Sequence, residues 1–139
     1  MAITQALCTS FKKEILEGVH ELGDVYKIAL YTSAASLDGS TTAYSATNEV
    51  SGTGYSAGGA TLSGIATGFS GATAWIDWTS DPSWAAATIT ARGALIYNSS
   101  QGNKAVAVLD FGSDKTSTNG TFTVVLPAAD ASNALIRIA

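Results

Sequence analysis

The chain has 139 residues and a net charge of −4, from seven basic and eleven acidic side chains. This length is typical of one domain that buries a core without metal support, and a single cysteine, Cys8, excludes an internal disulfide. The basic residues are scattered and form no patch for a phosphate backbone, so we expect neither nucleic acid nor a membrane among the partners.

The composition is low in charge and rich in small residues. Charged residues make up 13% and hydrophobic residues 46%, and Ala, Thr, Ser and Gly dominate the remainder. A surface of this kind loses little hydration when it meets another protein, although a simple stable fold would also explain it. Residues 1–10 lack the basic and apolar regions of a signal peptide, and no run of 18 apolar residues occurs, so we expect synthesis in a cytoplasm.

The N-terminal segment, residues 1–23, has helical spacing. Ile3, Leu7, Phe11 and Ile15 recur every four residues, which predicts one apolar stripe along a helix that ends at Gly18. Two interpretations of this stripe remain open. It packs on the protein's own sheet, or it docks as an arm on a neighbouring subunit.

A strand is predicted next, over Val25–Thr32, where β-branched and aromatic residues alternate between turn-forming neighbours. Residues 33–71 are rich in glycine and lack basic side chains. They predict either short strands at 42–50, 54–60 and 61–66 or one long exposed loop.

The remaining sequence alternates short apolar runs with turn-forming clusters. The turn-forming cluster Asn98–Asn103 separates two such runs and predicts a hairpin. The regular spacing predicts a mainly β, single-domain antiparallel β-sandwich, jelly-roll or Ig-like, over residues 24–139 behind the short N-terminal α-helix. The predicted strands are Ala72–Trp78, Ala87–Ala91, Gly93–Tyr97, Ala105–Phe111, Thr121–Leu126 and Ala134–Ile138.

Catalytic signatures fail when their context is considered. Gly54–Gly58 is a literal G-x-S-x-G around Ser56, but no helix pattern follows it and the only histidine, His20, precedes it. Asp77 and Asp81 flank Trp78 as a glycosidase pair would, yet acids at strand ends and turns are common. One cysteine and one histidine exclude a zinc site. We therefore predict no catalytic, cofactor-binding or metal-binding residues.

Three tryptophans lie within ten residues of one another, at Trp75, Trp78 and Trp84. They could pack in the core, anchor a protein interface, or form a platform for sugar rings. Trp75 and Trp78 point to opposite faces of a regular strand, so we expect one in the core and the other exposed. The candidate interface residues are Leu7, Phe11, Ile15, Trp75, Trp78 and Trp84.

Long strings of the sequence resemble a family of short proteins encoded in tailed-bacteriophage genomes. These strings are MAITQALCTSFKKEILEGVHELGDVYKIALYTSAA at the start, ARGALIYNSSQGNKAVAVLDFGSDKTSTNGTFTV in the second half, and the final ALIRIA. The resemblance covers nearly the whole chain and is loosest over residues 35–71.

The resemblance implies a virion structural protein that decorates the capsid surface, a cement protein. Such a protein clamps neighbouring subunits of the major capsid protein and self-associates as a dimer or trimer. The alternative is a tail, baseplate or fibre component, with host-glycan binding through the tryptophan region. The resemblance brings no catalytic residues with it.

Overall fold

The computed structural model describes residues 2–139, which form one α-helix and eight strands. All pairings between these strands are antiparallel, so the prediction of a mainly β antiparallel fold with a short helix near the N-terminus is confirmed. The elements are β1 (Ala6–Leu7), α1 (Thr9–Leu16), β2 (Tyr26–Tyr31), β3 (Ala60–Thr61), β4 (Ser63–Ser70), β5 (Thr73–Ser80), β6 (Ser83–Asn98), β7 (Lys104–Thr123) and β8 (Ile136–Ile138).

The strands form two sheets that share one core. The larger sheet has the order β1-β7-β6-β2-β3 and the smaller sheet has the order β4-β5-β8. The chain crosses between them at Leu62, the single residue between β3 and β4. Tyr26 of the larger sheet packs against Trp78 of the smaller sheet, with 5.4 Å between ring centroids. One cluster of buried side chains extends from Ile3 to Ile136 and joins both sheets to the helix.

The second half of the chain forms a long hairpin instead of the short strands predicted there. The runs at 87–91 and 93–97 merge into the 16-residue β6, and those at 105–111 and 121–126 merge into the 20-residue β7, which ends at Thr123. At Gly93 the register shifts, and a side chain would meet the carbonyl oxygen of Leu109 at 2.5 Å. The glycine therefore permits a bulge between closely spaced strands where a strand end was expected.

The turn of this hairpin lies where the sequence predicted it. Ser99–Gln101 form one 3₁₀ turn, and Gly102 and Asn103 follow with positive φ angles of 69° and 61°. Asn98 caps the turn by accepting a hydrogen bond from Ser100 N. The consecutive strands β6 and β7 thus lie side by side, whereas β1–β7, β2–β6 and β5–β8 are neighbours that are distant in the chain.

The N-terminal helix is shorter than predicted, because residues 3–7 are extended. Ile3 bridges Leu37, and β1 pairs with the edge of β7. Cys8 N donates to the Val106 carbonyl at 3.0 Å, so unpaired backbone groups on β7 capture this segment before the helix begins at Thr9. The helix ends as predicted, with Gly18 just beyond it at a φ of +72°.

Residues 33–59 form a long loop, and the short strands predicted at 42–50 and 54–60 are wrong except for Ala60 in β3. The predicted strand at 61–66 lies within β3 and β4. The Glu49 carboxylate fastens the loop, since it accepts hydrogen bonds from Tyr44 OH and Tyr55 OH at 2.6 Å and from Gly58 N at 2.8 Å. The loop covers the outer face of β2, where Tyr31 is buried and donates to Ser45 O.

Candidate functional site

An apolar groove lies between α1 and the smaller sheet. Its volume is about 380 Å³. Three hydrophobic side chains at its rim are more than half exposed: Phe69 at 82%, Leu22 at 56% and Ile138 at 55%. Leu16, on the last turn of α1, is 89% exposed. We use the name "apolar groove" for the surface lined by Phe11, Ile15, Leu22, Phe69, Trp75 and Ile138.

The groove exists because the apolar face of the smaller sheet extends beyond what covers it. Side chains on one face of β4 and β5 alternate, and register places Ile65 opposite Trp78 and Phe69 opposite Ala74. Tyr26 covers the Trp78 end of this face. Toward the β4–β5 turn the sheet continues without such a cover, so Phe69 faces solvent.

The other wall of the groove comes from α1. Phe11 is 2% exposed and Ile15 is half-buried, so the helix packs on the protein's own core through these two positions. The helical part of the apolar stripe therefore packs against the protein's own core, as the first of the two interpretations predicted. Leu16 lies beside the stripe and points away from the core, which leaves the last turn of the helix as an apolar projection.

A polar network beneath the groove holds the segment that carries Leu22. His20 Nε2 lies 2.9 Å from Glu14 Oε1, and His20 Nδ1 lies 3.0 Å from Asn98 Nδ2. The Asn98 amide nitrogen can only donate, so His20 accepts at Nδ1 and donates from Nε2 to Glu14. Asn98 is fully buried and also donates to Asp24 at 2.8 Å. This bond, the largest cause, lowers the pKa of Asp24.

Trp75 lies across Gly68 on the opposite face of the smaller sheet. The two residues are direct partners in the β4–β5 register, and a side chain at Gly68 would meet the Trp75 ring at 2.5 Å. The ring thus covers the glycine, and it remains only half-buried. Trp75 and Trp78 point to opposite faces, as their spacing predicted.

The structure separates the six predicted interface residues into two groups. Phe11 and Ile15 meet at the apolar groove, which Trp75 borders from β5 with its ring on the other face of the smaller sheet. The other three, Leu7, Trp78 and Trp84, do not line this groove. Leu7 is half-buried and pairs with Ala107.

Trp78 and Trp84 are core residues, at 3% and 7% exposure, and expose too little ring to serve as contact platforms. Trp84 packs between Tyr55 and Phe122. Of the three tryptophans, only Trp75 therefore exposes enough ring to stack on a sugar.

The two candidate acids hold the C-terminal segment. Asp77 is fully buried and accepts backbone hydrogen bonds from Trp78 and Leu135. Burial raises the pKa of Asp77. Asp81 Oδ1 accepts from Leu126 N at 2.9 Å. Both carboxylates therefore have structural partners, and the groove lies outside their reach.

Other kinds of site were also considered. Within residues 2–139, no group of three or more His, Cys, Asp or Glu side chains is placed to hold a metal ion. No helix in the same range has the length and apolar character needed to cross a membrane. Ser56 of the G-x-S-x-G string lies in the exposed part of the 33–59 loop, and a turn and β3 follow it instead of a helix.

Comparison with protein-family models, with curated proteins and with solved structures finds no match to this chain. The chemical character of the groove is therefore the basis for assigning a function. Its wall is mostly apolar, with His20, Glu21 and Thr67 as the polar exceptions. Such a surface suits apolar side chains of another protein.

Sequence reasoning missed the most exposed members of this surface. Leu22, Phe69 and Ile138 were not among the predicted interface residues. The signal for Phe69 was the alternation of Ile65, Thr67 and Phe69 along β4. Its exposure depends on where the covering Tyr26 ends, which the sequence of β4 does not contain.

Proposed function

We propose that this chain is a virion structural protein that decorates a bacteriophage capsid and stabilises it by clamping neighbouring shell subunits. The observation that carries the proposal is the apolar groove with its exposed rim. Large exposed apolar surfaces on a folded protein mark sites of protein association. The resemblance of long sequence strings to proteins of tailed-bacteriophage genomes points to the shell as the partner.

The composition supports a role in protein binding. Cores of protein interfaces are depleted in charge and enriched in aromatic residues. The groove has Phe11 and Phe69 in its wall, whereas the charges at the end of α1 lie outside it, including the exposed Lys13–Glu17 pair. Surface pairs of this type contribute little to stability, so they can rearrange when a partner docks.

The first test is the binding of purified protein to empty capsid shells, followed by co-sedimentation. The variant Leu22→Glu introduces a charge at a groove residue that is 56% exposed, so the fold is retained. We expect at least about a tenfold loss of shell binding, because a charge at the edge of an apolar contact must lose its hydration.

Val125→Glu is the matched control, since Val125 is 78% exposed and does not line the apolar groove. It should bind shells like the parent protein. Equal loss in both variants, or no loss in Leu22→Glu, would contradict the groove as the binding site.

A second measurement separates the capsid from the tail. Quantitative mass spectrometry of purified virions counts the copies of this chain per particle. A decoration protein on a symmetric shell is expected on the order of hundreds of copies. Low dozens in a multiple of three or six would transfer the assignment to the tail or baseplate, and absence from virions would refute both.

A further inference from the structure

We infer that two copies of this chain pair through the free edge of β4, about a two-fold axis, to join their smaller sheets into one six-stranded sheet. This inference concerns the backbone edge of β4, which borders the shell-binding groove at Thr67 and Phe69, and it is tested separately from the proposed function. The argument rests on the charge, the hydrogen-bonding geometry and the self-complementarity of β4.

The first step is that β4 is an unprotected edge. It lies at the end of the order β4-β5-β8, and the strand Ser63–Ser70 contains no charged residue and no proline. Natural sheets protect free edges with charges, prolines, bulges or very short strands.

The other edges of the two sheets carry such protection or are covered, as the loop around Thr53 covers the part of β6 beyond β2. The part of β7 beyond β1 has Asp110, Asp114 and Lys115, with positive φ angles at Gly112 and Asn119 that interrupt it. The β8 edge carries a charge at Arg137, and β1 and β3 are two residues long. An uncharged edge among protected ones indicates that β4 has a partner in the functional state.

The second step concerns the backbone groups that β4 presents. The two-residue turn Gly71-Ala72 joins β4 to β5, so Ser70 and Thr73 form a hydrogen-bonded pair. Alternation along an antiparallel ladder then directs the N–H and C=O groups of Ile65, Thr67 and Phe69 away from β5. Residues 2–139 supply no strand on that side.

The third step is self-complementarity. When two copies of β4 run antiparallel with Thr67 opposite Thr67, each Ile65 lies opposite Phe69 of the other copy. The three residues with outward backbone groups then face each other, and about six hydrogen bonds form, two for each pair. Because β4 is uncharged, the two-fold axis brings no like charges together.

This register also covers the most exposed aromatic residue. Phe69 is 82% exposed, and an isoleucine directly opposite it forms an aromatic–β-branched pair of the type that stabilises antiparallel sheets. Gly64, with a φ of +74°, ends the regular edge on the other side, so the pairing spans residues 65–69. A contact this short buries less than the roughly 800 Å² per partner of a standard interface, and we expect micromolar dissociation.

Thr67→Pro tests the pairing directly. The Thr67 N–H points to the free side, so proline leaves the β4–β5 ladder intact but removes the central donor and blocks strand addition. In sedimentation equilibrium we expect the parent to dimerise and the variant to show at least about a hundredfold weaker association. Arg137→Pro, on the free edge of β8, is the matched control and should dimerise like the parent. A parent that remains monomeric at millimolar concentration would overturn the inference, as would a Thr67→Pro variant with unchanged association.

Cross-linking tests the register. In a hydrogen-bonded pair the two Cα atoms are about 5.5 Å apart, which a disulfide can span. Thr67→Cys should form a covalent dimer on oxidation, while Cys8 stays inert because it is buried. Ala66→Cys should remain mainly monomeric on a denaturing gel, because its opposite residue in this register is Gly68. Equal yields of covalent dimer from both variants would overturn this register.

The two proposals fail separately. Leu22→Glu weakens binding to shells and leaves the dimer unchanged, because Leu22 lies outside β4, whereas Thr67→Pro weakens the dimer. Loss of shell binding without loss of the dimer therefore tests the groove alone.

Discussion

Asp77 is a buried carboxyl whose two hydrogen-bond donors are both backbone groups. Its position in β5 was apparent from the sequence, but its burial was not. The segment that covers it, around Leu135, lies 58 positions further along the chain. A residue-scale prediction from local pattern therefore found the acid and could not find its environment.

Asp77→Asn should change how stability depends on pH. Burial raises the pKa of Asp77 above its ordinary value of 3.8 in the folded state. Its contribution to the free energy of unfolding is thus complete below about that value and is lost as pH rises through the raised pKa. We expect the stability of the parent to fall relative to Asp77→Asn over this range, measured by urea denaturation at a series of pH values.

Asp38→Asn provides a control of opposite sign. Hydrogen bonds from Ser40 lower the pKa of Asp38, which is exposed on the surface. Its contribution is therefore present above the ordinary pKa and is lost as pH falls. A stability difference between parent and Asp77→Asn that stays constant with pH would contradict the account of Asp77.

At the scale of elements, sequence patterns located most strands and misjudged their ends. The strand at Tyr26–Tyr31 and the turn after Asn98 were predicted because β-branched runs and turn formers are local signals. The merging of short runs into β6 and β7 was not predicted, because a glycine such as Gly93 usually indicates the end of a strand, whereas here it lies at a β-bulge within one. Likewise, Ile3 and Leu7 fit a helical stripe, yet they are extended, because backbone hydrogen bonds to the edge of β7 stabilise that conformation.

Half of the apolar groove was found in the same way. Phe11 and Ile15 followed from helical spacing, and Trp75 from its size. The exposed residues of the rim depend on how far the larger sheet covers the smaller one. That is a property of two elements together, so no single pattern reports it.

The helix supplies a prediction at this scale. Phe11 is 2% exposed and lies in the core, whereas Leu16 is 89% exposed on the same helix. We expect Phe11→Ala to lower the free energy of unfolding by about 3–5 kcal/mol, through lost burial and the cavity left behind. Leu16→Ala should change it by less than about 0.5 kcal/mol. Chemical denaturation measures both, and similar values for the two variants would mean that α1 is not docked on the core.

At the scale of the whole molecule, the chain is as compact as a monomer of its mass should be. Its accessible surface is 6821 Å², against about 6,700 Å² expected for 14.1 kDa. The exposed groove and the free β4 edge are therefore local features of a complete fold. They do not mark a domain that needs a partner in order to form.

The reactivity of the Cys8 thiol is a probe of whether the whole domain is folded. Cys8 is fully buried where β1 meets α1, and burial raises the pKa of its thiol to about 11. We expect no reaction with a thiol reagent at pH 8 in the native state, because the thiolate is scarce and access is closed. Reaction should begin with unfolding and follow the loss of the circular dichroism signal along a denaturant series. Rapid labelling without denaturant would show that the N-terminal segment opens by itself.

The pairing of Ala6 with Val108 has a consequence for synthesis on the ribosome. The edge that receives the first strand does not exist until β7 has been translated, about a hundred residues later. Until then, Phe11 and its neighbours have no core to enter, and the emerging chain exposes them to solvent. The nascent chain is therefore expected to engage a chaperone such as a ribosome-bound holdase through its first turns, and to release it only when β7 emerges.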